Sequence, residues 1–158
     1  MASRLRRAGI GTVTALGMTA VGFVGAHEGL KLKAYPDVIG VWTACYGETK
    51  GIKPGMKFTK AQCDKMFVER LVEFETGMRK CLRNPDSVPD KPYLAFLSLA
   101  YNIGTPSFCS STLVKKVNAG DLKGACNYLL KYNRAGGRVW KGLVNRRERE
   151  RAYCLSGL

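Results

Sequence analysis

The sequence predicts a mainly helical protein of the α+β kind, in which a small β-containing lobe and a helical lobe are joined by one long helix. Three observations predict it. Thr59-Lys60-Ala61-Gln62 has the form of a capping box, and Cys63, Met66, Phe67, Leu71, Phe74, Met78 and Leu82 follow at three- and four-residue steps, the apolar face of a long helix. Before it, Cys45 to Phe58 is broken by Tyr46-Gly47, Lys50-Gly51 and Pro54-Gly55, turn signals between short strand-like pieces. After it, Tyr93 to Tyr101 is nearly all apolar, as the buried centre of a second lobe would be. A chain of 158 residues can build such a core without covalent staples.

The amino terminus is basic, with Arg4, Arg6 and Arg7, and then carries no charge across the 19 residues from Ala8 to Ala26. As a helix that stretch would measure roughly 28 Å, close to a hydrocarbon core of about 30 Å. Its apolar residues, Ile10, Val13, Leu16, Met18, Val21, Phe23 and Val24, are diluted by five glycines, three threonines and four alanines, so its hold on lipid is weak. The arginines favour a cytoplasmic amino terminus with Glu28 onward outside. Gly25-Ala26 offers a cleavage site, but Val24 stands where the first small residue of Ala-x-Ala belongs, which favours an uncleaved anchor. The expected division is an anchor at 1–26 and a folded domain at 27–158.

Glu28 begins the stretch on which the rest depends, EGLKLKAYPDVIGVWT. Glu28 is expected on a helical turn with Leu30, Leu32 and Ala34, ended by Tyr35-Pro36 because proline excludes the helical conformation from the residue before it. Val38 to Trp42, β-branched and aromatic with a glycine kink, is expected as a strand. Two carboxyls, Glu28 and Asp37, facing each other across a cleft suit glycoside hydrolysis: one stays protonated to protonate the leaving oxygen, the other stays ionised to serve a water or the developing cation. Thr43 adds a hydroxyl six residues further on.

The Glu-x8-Asp-x5-Thr spacing, with Gly29 after the first acid and Gly40-Val41-Trp42 before the threonine, resembles the catalytic triad of the phage-type lysozymes, glycoside hydrolase family 24. Tyr101-Asn102-Ile103-Gly104 through Phe108 to Ser111-Thr112-Leu113, and Ala135-Gly136-Gly137 to Gly142-Leu143 with Arg146-Arg147 and Glu150, also resemble that family, and the weak anchor resembles its signal-anchor-release endolysins. The resemblance implies a lysozyme-like two-lobed fold and a muramidase that cleaves the β-1,4 bond between N-acetylmuramic acid and N-acetylglucosamine in bacterial peptidoglycan, lysing the host. Glu28 is then the general acid, with Asp37 holding the attacking water and Thr43 orienting it. Inversion is implied, with carboxyls about 6.5 to 9.5 Å apart. An arginine of the last region, with Arg138 the first choice, is expected to pair with Glu28. Because Glu28 lies two residues beyond the uncharged stretch, the membrane-tethered form is expected to be inactive and the form released to the periplasm active. A lytic transglycosylase acting on the same glycan, or a noncatalytic tethered protein that binds the wall by charge, are the alternatives.

Further along, Arg83 to Pro92 reads as a loop. Ser111–Asn118 and Asp121–Lys131 read as short helices, the serine and aspartate as caps, and 132–138 as a glycine-bearing loop. A charged last helix is expected to turn Trp140, Leu143, Val144 and Ala152 inward. Asp64, Glu69, Glu73, Glu75, Lys65, Arg70 and Arg79 read as solvated charges of the long helix, and Glu48 as a surface acid. Lys and Arg outnumber Asp and Glu 26 to 12, a net charge of +14 that draws the protein to anionic surfaces such as wall and membrane. No zinc-finger spacing, aromatic RNA-binding motif or phosphate loop accompanies the charge, so specific nucleic-acid binding is not expected, nor a metal or cofactor; the chain is expected to act as a monomer.

Six cysteines follow the anchor, and an even number on the exported side reads as up to three disulfides with fifteen possible connectivities. The pairing expected is Cys45 with Cys63, Cys81 with Cys109, and Cys126 with Cys154. No cysteine lies in the anchor, so relatives whose anchor thiol unlocks the site by exchange are a poor guide. The one histidine, His27, is expected at the membrane interface and not as a catalyst.

Overall fold

A computed structural model describes residues 2–9 and 11–158; Met1 of the basic segment and Ile10 of the uncharged stretch lie outside the described residues. The order is α1 (Ala15–Glu28), β1 (Lys31–Pro36), β2 (Trp42–Cys45), α2 (Lys60–Cys81), α3 (Asp90–Ile103), α4 (Thr105–Cys109), α5 (Thr112–Asn118), α6 (Leu122–Tyr128), β3 (Arg134–Ala135), β4 (Arg138–Val139) and α7 (Lys141–Leu155), with single 3₁₀ turns at Pro85–Ser87 and Leu129–Lys131. The chain divides into two compact units, 2–73 and 74–158, and the division falls inside α2.

In the first unit the uncharged stretch is only partly helical. Gly9 and Gly11 adopt positive φ, which the left-handed region reserves largely for glycine, and helix starts only where Thr14 caps it, its hydroxyl accepting from Gly17 N–H at 3.0 Å. The preceding arm folds back: Thr14 N–H donates to the Leu5 carbonyl at 2.9 Å, the Thr14 hydroxyl donates to the Arg4 carbonyl at 2.6 Å, and Arg6 bridges to Val13. Leu5 is fully buried. Gly17 permits this approach, because a Cβ there would run into the Leu5 carbonyl oxygen. Ala20, Val21, Val24 and Gly25 form the buried side of α1, and Gly25 leaves room for the Tyr46 ring, stacked on Phe67 with centroids 4.6 Å apart. Among the described residues no helix is long and apolar enough to cross a membrane.

Two expectations about the next stretch are corrected. Helix ends at Glu28, not at Tyr35: Gly29, at φ 76°, donates its N–H to the Gly25 carbonyl and stops it. Leu30-Lys31-Leu32-Lys33 alternates with period two, and strand begins at Lys31. Val38 and Ile39 are a turn instead of a strand, and β2 begins at Trp42, antiparallel to β1 with Tyr35 opposite Thr43 and Pro36 opposite Trp42. The capping box is as expected: Thr59 N–H donates to Gln62 Oε1 at 2.8 Å, and Gln62 N–H to Thr59 Oγ1 at 3.2 Å. Cys45 pairs with Cys63.

The second unit is built on α3, whose residues from Pro92 to Ala100 are all buried. Gly104 ends it, Ser111 caps α5 and Asp121 caps α6, each as expected. The other two disulfides are Cys81–Cys109 and Cys126–Cys154. The loop at 132–138 contains a short hairpin, with Ala135 opposite Arg138. The charges of this unit depart most from expectation. Glu75 and Arg79 are buried, not solvated: Arg79 Nη2 donates to both oxygens of Asp86 at 2.9 Å, Nη1 donates to the Tyr93 hydroxyl at 3.1 Å, and that hydroxyl donates to Glu75 at 2.7 Å. Burial and the bond to Glu75 push the Tyr93 phenol up. The inner side of α7 is likewise Arg146, Arg147, Glu150 and Cys154, whereas Trp140 and Ala152 are exposed and Leu143 and Val144 half-buried. One Glu150 oxygen accepts from Ser98 at 2.6 Å, Arg147 at 2.8 Å and Arg146 at 3.1 Å. Buried charges require such partners, and Arg146 and Arg147 stand one helical turn before Glu150 to provide two of them.

Candidate active site

Glu28 is the last residue of α1, half-buried, with Oε1 sealed from solvent. The residues that seat its helix are Leu5 of the basic arm and, within the uncharged stretch, Thr14 at the start and Val21, Val24 and Gly25 along it. The backbone that carries the first acid is thus built from the segment the sequence assigns to the membrane. His27 beside it is half-buried with its ring edge-on to Phe23 at 5.7 Å.

Asp37 closes the hairpin. Its Oδ1 accepts from the N–H groups of Ile39 at 3.0 Å and Val41 at 2.8 Å, its own N–H donates to the Val41 carbonyl at 2.9 Å, and Gly40, at φ 83°, donates to the Asp37 carbonyl at 3.0 Å. This ring of bonds is why 38–41 is a turn in spite of its β-branched residues: the aspartate competes with the ladder for its backbone donors. It also fixes the carboxylate, since Oδ1 is held by two donors and Oδ2 makes no hydrogen bond among the described residues. Thr43, 5% exposed, donates its hydroxyl to the Val41 carbonyl at 3.1 Å. Val41 therefore bonds both to Asp37 and to Thr43, and one short turn sets the orientation of both side chains.

All three predicted residues lie in the unit 2–73, Asp37 and Thr43 on one hairpin and Glu28 three residues before that hairpin's first strand. Arg138 is exposed on β4 of the other unit. Glu48 is a turn clamp, its Oε1 accepting from the Thr49 and Lys50 N–H groups at 2.9 and 2.8 Å. A polar cluster not foreseen from the sequence lies near α1, where the Tyr46 hydroxyl donates to Asp64 Oδ1 at 2.7 Å and Lys60 binds Oδ2. Burial, then the hydrogen bond to Asp64, raises the Tyr46 phenol. It borders a groove of about 380 Å³ along Met18, Gly22, Gly25, Ala26 and Gly29, which does not include Glu28, Asp37 or Thr43. The only advance signal for this cluster was the four-residue spacing of Lys60 and Asp64 on α2.

The phage lysozyme family model matches residues 25–150, which begins inside α1 and takes in Glu28, Asp37 and Thr43. A SAR-endolysin of Bacteriophage PS119 is 42% identical over 131 residues, 82% of this chain and 77% of its own, and one of Enterobacteria phage P21 is 41% identical over 131 residues, 82% and 78%. The crystal structure of the active form of P1 phage endolysin Lyz has the same fold, with TM-score 0.77 at 28% identity, covering 87% of this chain and 83% of that one. A match over most of the chain, together with relatives above 40% identity, makes this chain a member of the phage lysozyme family.

Proposed function

We propose that the chain is an endolysin that hydrolyses the β-1,4 bond between N-acetylmuramic acid and N-acetylglucosamine in bacterial peptidoglycan and so lyses the host cell. The single observation that carries the mechanism is the Asp37 turn, which presents a fixed carboxylate and a fixed threonine hydroxyl from one hairpin inside a family of lysozymes. Glu28 donates its proton to the glycosidic oxygen as the bond to the anomeric carbon breaks. A water held by Asp37 and oriented by Thr43 attacks that carbon from the opposite face and gives its proton to Asp37, so the product is inverted at the anomeric centre.

The same reading assigns residues 1–26 to a releasable anchor with the amino terminus in the cytoplasm and the enzyme in the periplasm after release. What supports it is the double use of one segment. Gly17 and Gly25, which weaken the stretch as a membrane span, are the residues that let α1 meet Leu5 and Tyr46. The stretch cannot lie in lipid and at the same time supply the buried side of α1, so the tethered form lacks the seat of Glu28. The test is the clearing of outer-membrane-stripped walls by the full chain, free and reconstituted in bilayers, with Glu28→Gln of each. Clearing by the free wild type alone supports both parts. Equal clearing by the Gln variant removes Glu28 from the mechanism, and equal clearing by the bilayer form removes the control.

A further inference from the structure

The end of β2 and the start of α2 are joined twice, by neighbouring residues. Cys45 is bonded to Cys63, and one position further along each segment the Tyr46 hydroxyl donates to Asp64 Oδ1 at 2.7 Å. Lys60, one helical turn before Asp64, donates to its other oxygen. Cys45 itself stands at φ 58°, in the left-handed region that residues other than glycine seldom enter, and such a conformation persists where its surroundings over-determine it. The two links supply that constraint, and the hydrolytic step uses neither of them.

The Tyr46 ring carries the constraint to α1. It is buried and stacked on Phe67 at an interplanar angle of 27°. Both rings lie against Gly25: a Cβ built there would come to 3.0 Å from Tyr46 Cε1 and 3.4 Å from Phe67 Cε1. Gly25 stands three residues before Glu28, and residues three apart share a side of a helix. Its carbonyl also accepts the Gly29 N–H, at 3.1 Å, where α1 stops. The phenol ring therefore bears on the turn from which Glu28 projects. At the other end of the clasp, Cys45 follows Thr43 by two residues on β2. One clasp thus ties the helix of the first acid to the strand that carries the threonine. The groove of about 380 Å³ beside this contact leaves α1 room to shift if the ring moves.

We propose that Tyr46, oriented by Asp64, is a positioning residue for Glu28: it fixes the last turn of α1 against the hairpin of Asp37 and Thr43, and so sets the separation between the general acid and the water those two residues hold. This rests on the reading of Glu28 as the general acid. A reaction that needs an acid and a separately held water is sensitive to their spacing, and a misplacement of about 1 Å costs about 10²-fold in rate. Stacking alone lets a ring slide over its neighbour. The bond from its hydroxyl to a carboxylate that Lys60 holds in turn removes that freedom. Burial, then the bond to Asp64, raises the Tyr46 phenol, so the hydroxyl keeps its proton and stays a donor at neutral pH.

The experiment measures kcat and KM of the free full chain for release of reducing ends from solubilised peptidoglycan, with the thermal midpoint of each protein, for wild type, Tyr46→Phe, Asp64→Leu, Asp64→Asn, the double variant Tyr46→Phe/Asp64→Leu, Gly25→Ala and Glu28→Gln. Tyr46→Phe and Asp64→Leu are each expected to lower kcat about fivefold at constant KM, and the double variant to fall no further, because both changes remove the same bond. Asp64→Asn keeps an oxygen that accepts from the phenol and is expected to keep the wild-type kcat. Gly25→Ala pushes helix and ring apart by a few tenths of an ångström and is expected to lower kcat about tenfold without lowering the midpoint, since alanine is the better helix former. Lower midpoints with unchanged kcat would make the clasp a structural brace and overturn the proposal. So would a rise in KM at constant kcat, which would give the cluster to substrate binding, or a loss in Asp64→Asn as large as in Asp64→Leu, which would leave the phenol bond no part. Turnover by Glu28→Gln equal to wild type would fail the reading of Glu28 and the proposal with it, whereas an inert Glu28→Gln beside undiminished clasp variants fails the positioning alone.

Discussion

Acidic side chains are used in opposite ways in the two units. In residues 74–158, Glu75 and Glu150 are fully buried and bonded to tyrosine, serine and arginine side chains that come from other turns and other helices. In residues 2–73, Glu28 and Asp37 are half-buried at the ends of elements, and Asp37 is held by backbone N–H groups of its own turn. The first arrangement neutralises the acid in place and makes it part of the core. The second, at Asp37, fixes one carboxylate oxygen with backbone donors and leaves the other without a hydrogen bond among the described residues. Chemistry on a substrate needs the second kind, because an acid already matched by a buried guanidinium has no proton or lone pair left to offer.

Substitution of the two kinds should therefore separate activity from stability. Glu28→Gln is expected to lower wall hydrolysis about 10³-fold, within the 10²–10⁴ range of a lost general acid, with the thermal midpoint little changed. Glu150→Gln is expected to do the reverse. It leaves Arg146 and Arg147 buried without their counter-charge, a loss of about 3 to 5 kcal/mol read from urea unfolding, while the fraction still folded retains activity. Should Glu150→Gln be neutral in stability and Glu28→Gln costly, the contrast between the units would be the wrong way round.

The third prediction sharpens the contrast within the first unit, where the acid is seated by an apolar arm. Leu5→Ala removes a fully buried side chain that docks on α1, and about 2 to 4 kcal/mol of stability should go with it. Since the arm lies outside the uncharged stretch, membrane insertion should be unaffected. Hydrogen exchange of the α1 amides reads the effect locally, and unchanged protection there would mean that the arm does not hold the helix.

The parts of this molecule that were legible in advance are those written in local pattern. The Thr59-Gln62 box, the apolar stripe of α2, the buried run of α3 and the caps at Ser111 and Asp121 each follow from neighbours within four residues. Disulfides between consecutive cysteines also matched. Near the site two local signals compete: Leu30-Lys31-Leu32-Lys33 alternates with period two, while its apolar residues also fit a helical turn with Glu28, and Gly29 decides between them by stopping the helix. Val38 and Ile39 read as strand because their side chains favour it, and the Asp37 carboxylate took the backbone donors instead. The pairing of Arg146 and Arg147 with Glu150 has the three- and four-residue spacing of a helix as its signal, whereas their burial, the bond from Ser98 and the meeting of Glu75, Arg79, Asp86 and Tyr93 come from tertiary packing. The three proposed site residues rest on spacing and resemblance, whereas the bond from Thr43 to Val41 and the clamp by Asp37 are visible only in the structure.

The smallest expected effect tests the boundary between the two uses of acids. Asp121 belongs to the second unit but is held as Asp37 is, at the solvent edge: its carboxylate takes a hydrogen bond from Lys116 at 3.0 Å and caps α6 through the Gly124 N–H at 2.8 Å. Those two bonds hold it below the usual carboxylate range. A folded-state value lower than the unfolded one means that ionised Asp121 stabilises above the unfolded value of about 3.9, and that this contribution is lost as pH falls through the lower folded value. Asparagine caps helices as well as aspartate, so Asp121→Asn removes the charge and keeps the cap. Wild type should therefore melt slightly higher than the variant near pH 6, with the gap closing below about pH 3. A gap that persists in acid would trace the difference to the cap rather than to the charge, and would place Asp121 with the acids that build the fold through geometry alone.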